Sequence, residues 1–259
     1  MKEAIVAMKR RLEVDLDIEI SDLEKISQPI SNPSMESLAS MIDHTLLNPE
    51  AGKDQHMLIF EEARRYHFHS VCIPPHWVEL AAKELKETPV NICTVIGFPL
   101  GYATTDVKVF EAKDCIRRGA DEIDMVMNIS AFKSGDYSYV WNEIKALREA
   151  VGREIVLKVI IETAFLGEVE KYAAGWMVKA AGADFVKTST GFASEGAKVE
   201  DVRLLKSIAG RGLGVKASGG IRDQIKALEM IRAGATRLGA SKSVAIVQVK
   251  KKVPSSHSY

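Results

Sequence analysis

From about Ser40 onward the chain repeats one unit eight times, a short β-rich run followed by an amphipathic helical stretch. The strand candidates are 41–45, 70–73, 91–97, 122–127, 155–161, 185–188, 214–217 and 237–239. Helical stretches follow at 55–66, 77–86, 106–117, 139–151, 169–180, 199–208, 224–232 and 244–250. Strands joined through helices run parallel, so the class is α/β. A doubly wound open sheet alternates in the same way. Eight evenly spaced units without a Gly-rich nucleotide fingerprint after the first strand favour closure into a single (β/α)8 TIM barrel. The chain length of 259 residues suits that fold.

The stretch 106–117 shows the helical period, with Val107, Val109, Phe110, Ala112, Cys115 and Ile116 predicted to form one apolar face. Three helices end in a shared signal, at Gly119, Gly182 and Gly234, where glycine can take a left-handed cap and turn the chain into the next strand. Residues 1–39 stand outside the repeat as an N-terminal helical extension. Ile5, Met8 and Leu12 predict one helix there that covers a barrel face and ends before Pro29 and Pro33. The barrel is assigned 40–250, and the small, polar stretch 251–259 is read as a flexible C-terminal tail.

Thirty-five Lys plus Arg balance 35 Asp plus Glu. That balance argues against nucleic acid or a membrane surface as partner, so any phosphate affinity must be local. Cys72, Cys93 and Cys115 lack metal spacing and suit a reducing compartment. No leader pattern and no membrane-length apolar run is present, so a soluble, cytoplasmic protein is expected. His67, His69 and His76 lie around a turn with no carboxylate at ligand spacing, which argues against zinc.

Two lysines end short apolar strands, Lys187 and Lys216. An ammonium inside such a strand must be paired or lose its proton, and a second ammonium beside it pushes toward loss. A free amine in that setting can form a Schiff base with a carbonyl. Asp124 has the parity to share the barrel mouth with them, either as a lysine partner or as a proton shuttle. Lys158 lies earlier in its strand and reads as a structural barrel lysine, on one strand face with Glu162. Gly219 and Gly220 after strand seven, and Gly239 with Ser241 after strand eight, occupy the usual phosphate position of such barrels, with Thr190 and Gly191 completing the cradle. Cys72 borders the pocket or is simply a buried thiol.

Four segments carry a family resemblance: F-V-K-T-S-T-G-F, V-K-A-S-G-G-I-R, G-A-D-E-I-D-M-V and L-K-V-I-I-E-T. In this order the chain resembles deoxyribose-phosphate aldolases, class I enzymes of deoxynucleoside breakdown, from about Ser40 to about Val247. The resemblance implies Lys187 as the Schiff-base lysine, Lys216 as its electrostatic activator and Asp124 as a proton-transfer residue. It matches Asp43 to an aspartate of the polar network, the alternative being a residue that merely pairs lysines. It implies 2-deoxy-D-ribose 5-phosphate as substrate, no cofactor and no metal. A homo-oligomer, dimer or tetramer, is expected. Lys187 must then move from about 10.4 toward roughly 7, some 4 to 5 kcal/mol of bias. Lys216, Phe185 and Val186 are the expected sources of it. Some members end in a tyrosine that reaches the site, which nominates Tyr259. One departure is Lys242, where the family carries a second small hydroxyl residue after Ser241. The competing readings are a Schiff-base aldolase of another phosphorylated aldose or keto acid, a phosphate-binding barrel isomerase, and an inactive barrel scaffold.

Overall fold

A computed structural model of the protein describes residues 1–24 and 32–248. The first half contains α1 (Lys2–Leu16), α2 (Met35–Ala39), β1 (Ile42–Thr45), α3 (Lys53–Tyr66), β2 (Ser70–Ile73), α4 (Val78–Glu84), β3 (Asn91–Ile96), α5 (Thr105–Arg117) and β4 (Glu122–Val126). There follow α6 (Ile129–Lys133), α7 (Tyr137–Val151), β5 (Val156–Ile160), α8 (Glu168–Ala180), β6 (Phe185–Lys187), α9 (Val199–Ala209), β7 (Gly214–Ser218), α10 (Gln224–Ala233), β8 (Arg237–Ala240) and α11 (Ser243–Val247). The eight strands pair in parallel and in chain order, and β8 closes on β1. The fold is the expected (β/α)8 barrel. The proposed tail 251–259, including Tyr259, lies outside the described residues.

Alternation along the strands divides the molecule into two unlike regions. Outward positions such as Ile42, Val71, Ile123, Val159, Val186 and Val215 join one large apolar layer beneath the helices. Inward positions carry a small apolar group of Cys72, Cys93 and Val95. The rest of the interior is largely ionic, with Asp43, Glu122, Asp124, Lys158 and Lys216 all buried. Barrels of this kind usually fill the same space with layers of branched aliphatics. Here the apolar layer outside the strands holds the fold, and the inside is left for charge.

Glycine ends the helices where the repeat predicts it, with φ of 109° at Gly119, 79° at Gly182 and 117° at Gly234. At Gly119 a Cβ would also lie 2.7 Å from that of Ala82, so both backbone shape and space require glycine.

Two expectations are corrected. The face of α5 is rotated: Lys108, Ala112 and Cys115 are the buried residues, while Val107 and Phe110 are 54% and 72% exposed. Lys108 turns inward because its ammonium finds partners there, Glu143 Oε1 at 2.7 Å and the Val126 carbonyl at 2.8 Å. Among the described residues two helices, rather than one, precede the barrel. The first ends at Asp17, in a left-handed conformation, and packs against α7 and α8 through Leu12 and Leu16. The barrel face it was expected to cover is therefore the outer one, formed by helices α7 and α8. The second, α2, is capped by Ser34 and buries Leu38 and Ala39.

The Lys108–Glu143 pair is fully removed from water, and burial pushes the Lys108 ammonium down and the Glu143 carboxyl up against their mutual attraction. Glu143→Leu should cost about 3–5 kcal/mol in urea unfolding, because it strands an ammonium in the interior. Lys108→Met combined with Glu143→Leu should recover most of that loss.

Candidate active site

The carboxyl ends of the strands open into a cavity of about 360 Å³. Lys187, the last residue of the three-residue β6, reaches its floor. The strand register sets Lys187 level with Lys216 on β7, and Lys216 level with Arg237 on β8. On the opposite side Asp124 of β4 is level with Lys158 of β5. All of these side chains have inward parity, so barrel closure brings them together.

Asp124 is where they meet. Its Oδ2 accepts from Lys187 Nζ and from Lys216 Nζ, each at 2.6 Å. Its Oδ1 accepts from Lys158 Nζ at 2.8 Å and from the Cys93 thiol at 3.2 Å. Below this layer Lys216 Nζ pairs with Asp43 Oδ2 at 2.5 Å. Asp43 Oδ1 receives Arg237 Nη1 at 2.8 Å, and the same guanidinium lies 3.0 Å from Glu122 Oε2. Glu122 also holds Lys158 at 2.5 Å and His69 at 2.9 Å. The network thus runs from the cavity floor to the amino-terminal end of the barrel.

Burial opposes the charges of Asp124, Asp43, Glu122, Lys216 and Lys158, and for each the partners outweigh it. Desolvation raises Asp124, yet Lys158, Lys187 and Lys216 hold it well below the usual carboxylate range. Asp43 is likewise pulled down, against burial, by Lys216, Lys158 and Arg237. Glu122 falls to about 2, against burial, chiefly through Lys158 and His69. Burial lowers Lys216, but Asp124 and Asp43 carry it well above the ordinary lysine value. The same contest raises Lys158, where Asp124 is the leading partner.

The sequence-predicted residues fall into groups. Lys187, Lys216, Asp124, Asp43 and Lys158 share the ionic network. Gly191, Gly219, Gly220, Gly239, Ser241 and Thr190 line the cavity with Lys187. Gly219 and Gly220 have φ of 86° and 75°, and a Cβ on Gly239 would meet Ser218 Oγ at 2.5 Å and Lys216 Cε at 3.2 Å. Cys72 is fully buried and packs with Cys93 and Val95, and its neighbour Cys93 lowers its thiol against burial.

Three readings change, and the open question of Lys242 is answered. Both donors of Thr190 are turned to Glu162, the amide at 3.1 Å and the hydroxyl at 2.5 Å, so Thr190 shapes the cradle without offering it a donor. Glu162 does not share a face with Lys158, because it lies beyond β5 with φ of 51°. Val186 points into the outer apolar layer and does not wall the amine of Lys187. Lys242 is exposed and does not line the cavity.

Sequence reasoning passed over Arg237, Glu122 and the cavity residues Asn48, Phe192 and Arg222, and gave Glu162 and Cys93 no part in the site. Parity could have found two of them. Arg237 precedes Gly239 by two positions, and Glu122 precedes Asp124 by two. Asn48 and Phe192 come from loops, where no period exists to read.

Comparison with known proteins places this geometry. Residues 37–246 match the DeoC/LacD family aldolases. A deoxyribose-phosphate aldolase of Caldanaerobacter subterraneus subsp. tengcongensis is 54% identical over 221 residues, covering 85% of this chain and 96% of that protein. One from Enterococcus faecalis is 54% identical over 210 residues, covering 81% and 96%. Among solved structures, a putative deoxyribose-phosphate aldolase of Coccidioides immitis superposes with a TM-score of 0.84 at 38% identity, covering 94% of this chain and 96% of that one. A tetrameric deoxyribose phosphate aldolase of Aeropyrum pernix superposes with a TM-score of 0.78 at 36% identity, covering 83% and 91%.

The depressed carboxylates fix how stability responds to acid. Their ordinary values are 3.8 for aspartate and 4.5 for glutamate, so as the pH falls the unfolded chain takes up protons first. The stability they contribute is present above about pH 4.5 and is lost toward pH 2, at about 1.4 kcal/mol per pH unit per proton. Urea midpoints at pH 6, 4 and 3 should fall steeply. Glu122→Gln should be less stable at pH 6 but should lose less between pH 4 and 3.

Proposed function

The chain belongs to the DeoC/LacD aldolase family, and from that premise we propose that it cleaves 2-deoxy-D-ribose 5-phosphate reversibly through a Schiff base on Lys187. The products are acetaldehyde and D-glyceraldehyde 3-phosphate. The enzyme is a carbon–carbon lyase. The observation that carries the assignment of Lys187 is its position: of the three lysines bound to Asp124, it alone lines the cavity.

The reaction uses the site in order. The free amine of Lys187 adds to the aldehyde carbon of the open-chain sugar and forms a carbinolamine, which loses water to become an iminium. Asp124, with a lone pair released from Lys187, faces the departing hydroxyl, while Lys216 beside it supplies positive charge. The iminium is an electron sink. Loss of the proton from the hydroxyl on the third carbon breaks the bond between carbons two and three, and the electron pair passes to the nitrogen as an enamine. D-Glyceraldehyde 3-phosphate leaves. Protonation of the enamine carbon and hydrolysis release acetaldehyde and restore the amine.

The phosphate is held at the other side of the cavity. Backbone N–H groups around Gly219, Gly220 and Gly239 can approach an anion closely because no Cβ intervenes. Ser241 and the exposed Arg222 add a hydroxyl and a positive charge at the rim. Asp43 and Lys158 hold the lower network in place and do not reach the cavity. A cytoplasmic setting suits a phosphorylated sugar substrate. Assembly as a dimer or tetramer is supported by the tetramer described for the Aeropyrum relative.

Borohydride added with 2-deoxy-D-ribose 5-phosphate should leave a reduced adduct on the peptide containing Lys187. Lys187→Arg keeps the charge but not a free amine, and should reduce turnover by at least about 10⁴-fold. Trapping on another lysine would sink the assignment. Unphosphorylated 2-deoxyribose should be cleaved with a far higher KM, and equal KM values would remove the phosphate site.

A further inference from the structure

The interior charges can be counted. Asp43, Glu122 and Asp124 contribute three negative charges, and Lys158, Lys216 and Arg237 contribute three positive ones. Those six balance without Lys187. A proton on Lys187 is therefore the one charge that this six-membered set leaves uncompensated, while Glu162, also buried, stands apart from the set and is held by the amide and hydroxyl of Thr190. Cys72 and Cys93 enter this count as thiols. His69, at the partly exposed lower end of the barrel, meets Glu122 and Asn91 and lies outside this count.

The balance depends on a residue remote from the chemistry. Arg237 does not line the cavity, and it touches neither Lys187 nor Asp124. Its guanidinium joins Asp43 to Glu122 and stacks 5.1 Å from the centroid of the Phe185 ring. A guanidinium cannot surrender its proton in a protein, so this charge is permanent.

Building on the Schiff-base reading above, we infer that Arg237 is a positioning residue for the reaction, supplying the fixed positive charge that leaves the amine of Lys187 free to attack. Without it, Lys158 and Lys216 alone would face the three carboxylates Asp43, Glu122 and Asp124. Lys187 would then keep its proton to restore neutrality. The effect travels through Asp43, whose other oxygen holds Lys216, and through Lys216 to the shared Asp124. Glu122 is the opposing weight: removing its charge should make Lys187 easier to deprotonate.

The test is the pH dependence of borohydride trapping on Lys187 with acetaldehyde as probe. Arg237→Gln should move the rising limb upward by of order one pH unit, Glu122→Gln should move it downward, and the double variant should return it near the starting position. Arg237→Lys should restore the limb of the unaltered protein. A purely structural role would lower the amount trapped without moving the limb. Trapping on Lys187 with a limb unmoved by Arg237→Gln would overturn the inference and leave the Schiff-base reading intact. Absence of trapping on Lys187 in the unaltered protein at any pH would overturn both. If Arg237→Gln does not fold, Glu122→Gln decides alone, and an unmoved limb again overturns the inference.

Discussion

Three lysine nitrogens on one carboxylate govern the interior of this barrel. Lys158, Lys187 and Lys216 come from three consecutive strands, and Asp124 holds all of them within 2.8 Å. None of these lysines is at home among apolar side chains, and a buried ammonium without a partner costs far more than the pair gains. Asp124 therefore decides the directions of their side chains before any substrate arrives. It also explains why one amine reaches the cavity and two do not. Lys158 and Lys216 have second carboxylates below, Glu122 and Asp43, whereas Lys187 has Asp124 alone among these. The residue with the fewest ties is the one left at the mouth.

That arrangement differs from a simple picture of two adjacent ammoniums repelling one another. The carboxylate lies between Lys187 and Lys216 and binds both. Repulsion between the lysines is screened at that point, so the sum over the whole network matters more than any one pair. The same carboxylate is held strongly as an anion. Asp124 is then better suited to accept a hydrogen bond from a reaction intermediate than to store a proton between turnovers.

Much of this was legible in the sequence, for identifiable reasons. The strands were readable because inward and outward positions alternate with a period of two, and the helix ends because Gly119, Gly182 and Gly234 need a left-handed backbone. Lys187, Lys216 and Asp124 stood out as charges inside apolar runs. What escaped depended on contacts between distant segments. Lys108 could turn α5 over only because Glu143, 35 residues away, waits beneath it. Arg237 gains meaning only when β8 closes on β1 and meets Asp43, 194 residues away. Thr190 looked like a phosphate ligand until Glu162, on the preceding strand end, claimed both of its donors.

The division between a charged inside and an apolar outside also bears on temperature. The hydration of ions becomes less favourable on heating, so the penalty for keeping them from water shrinks, while the apolar layer gains little more per unit area. A barrel filled with branched aliphatics would lack that compensation. The central network is accordingly a smaller burden on this fold when hot than when cool, and the last part to loosen should be the strands that carry it rather than the helices around them.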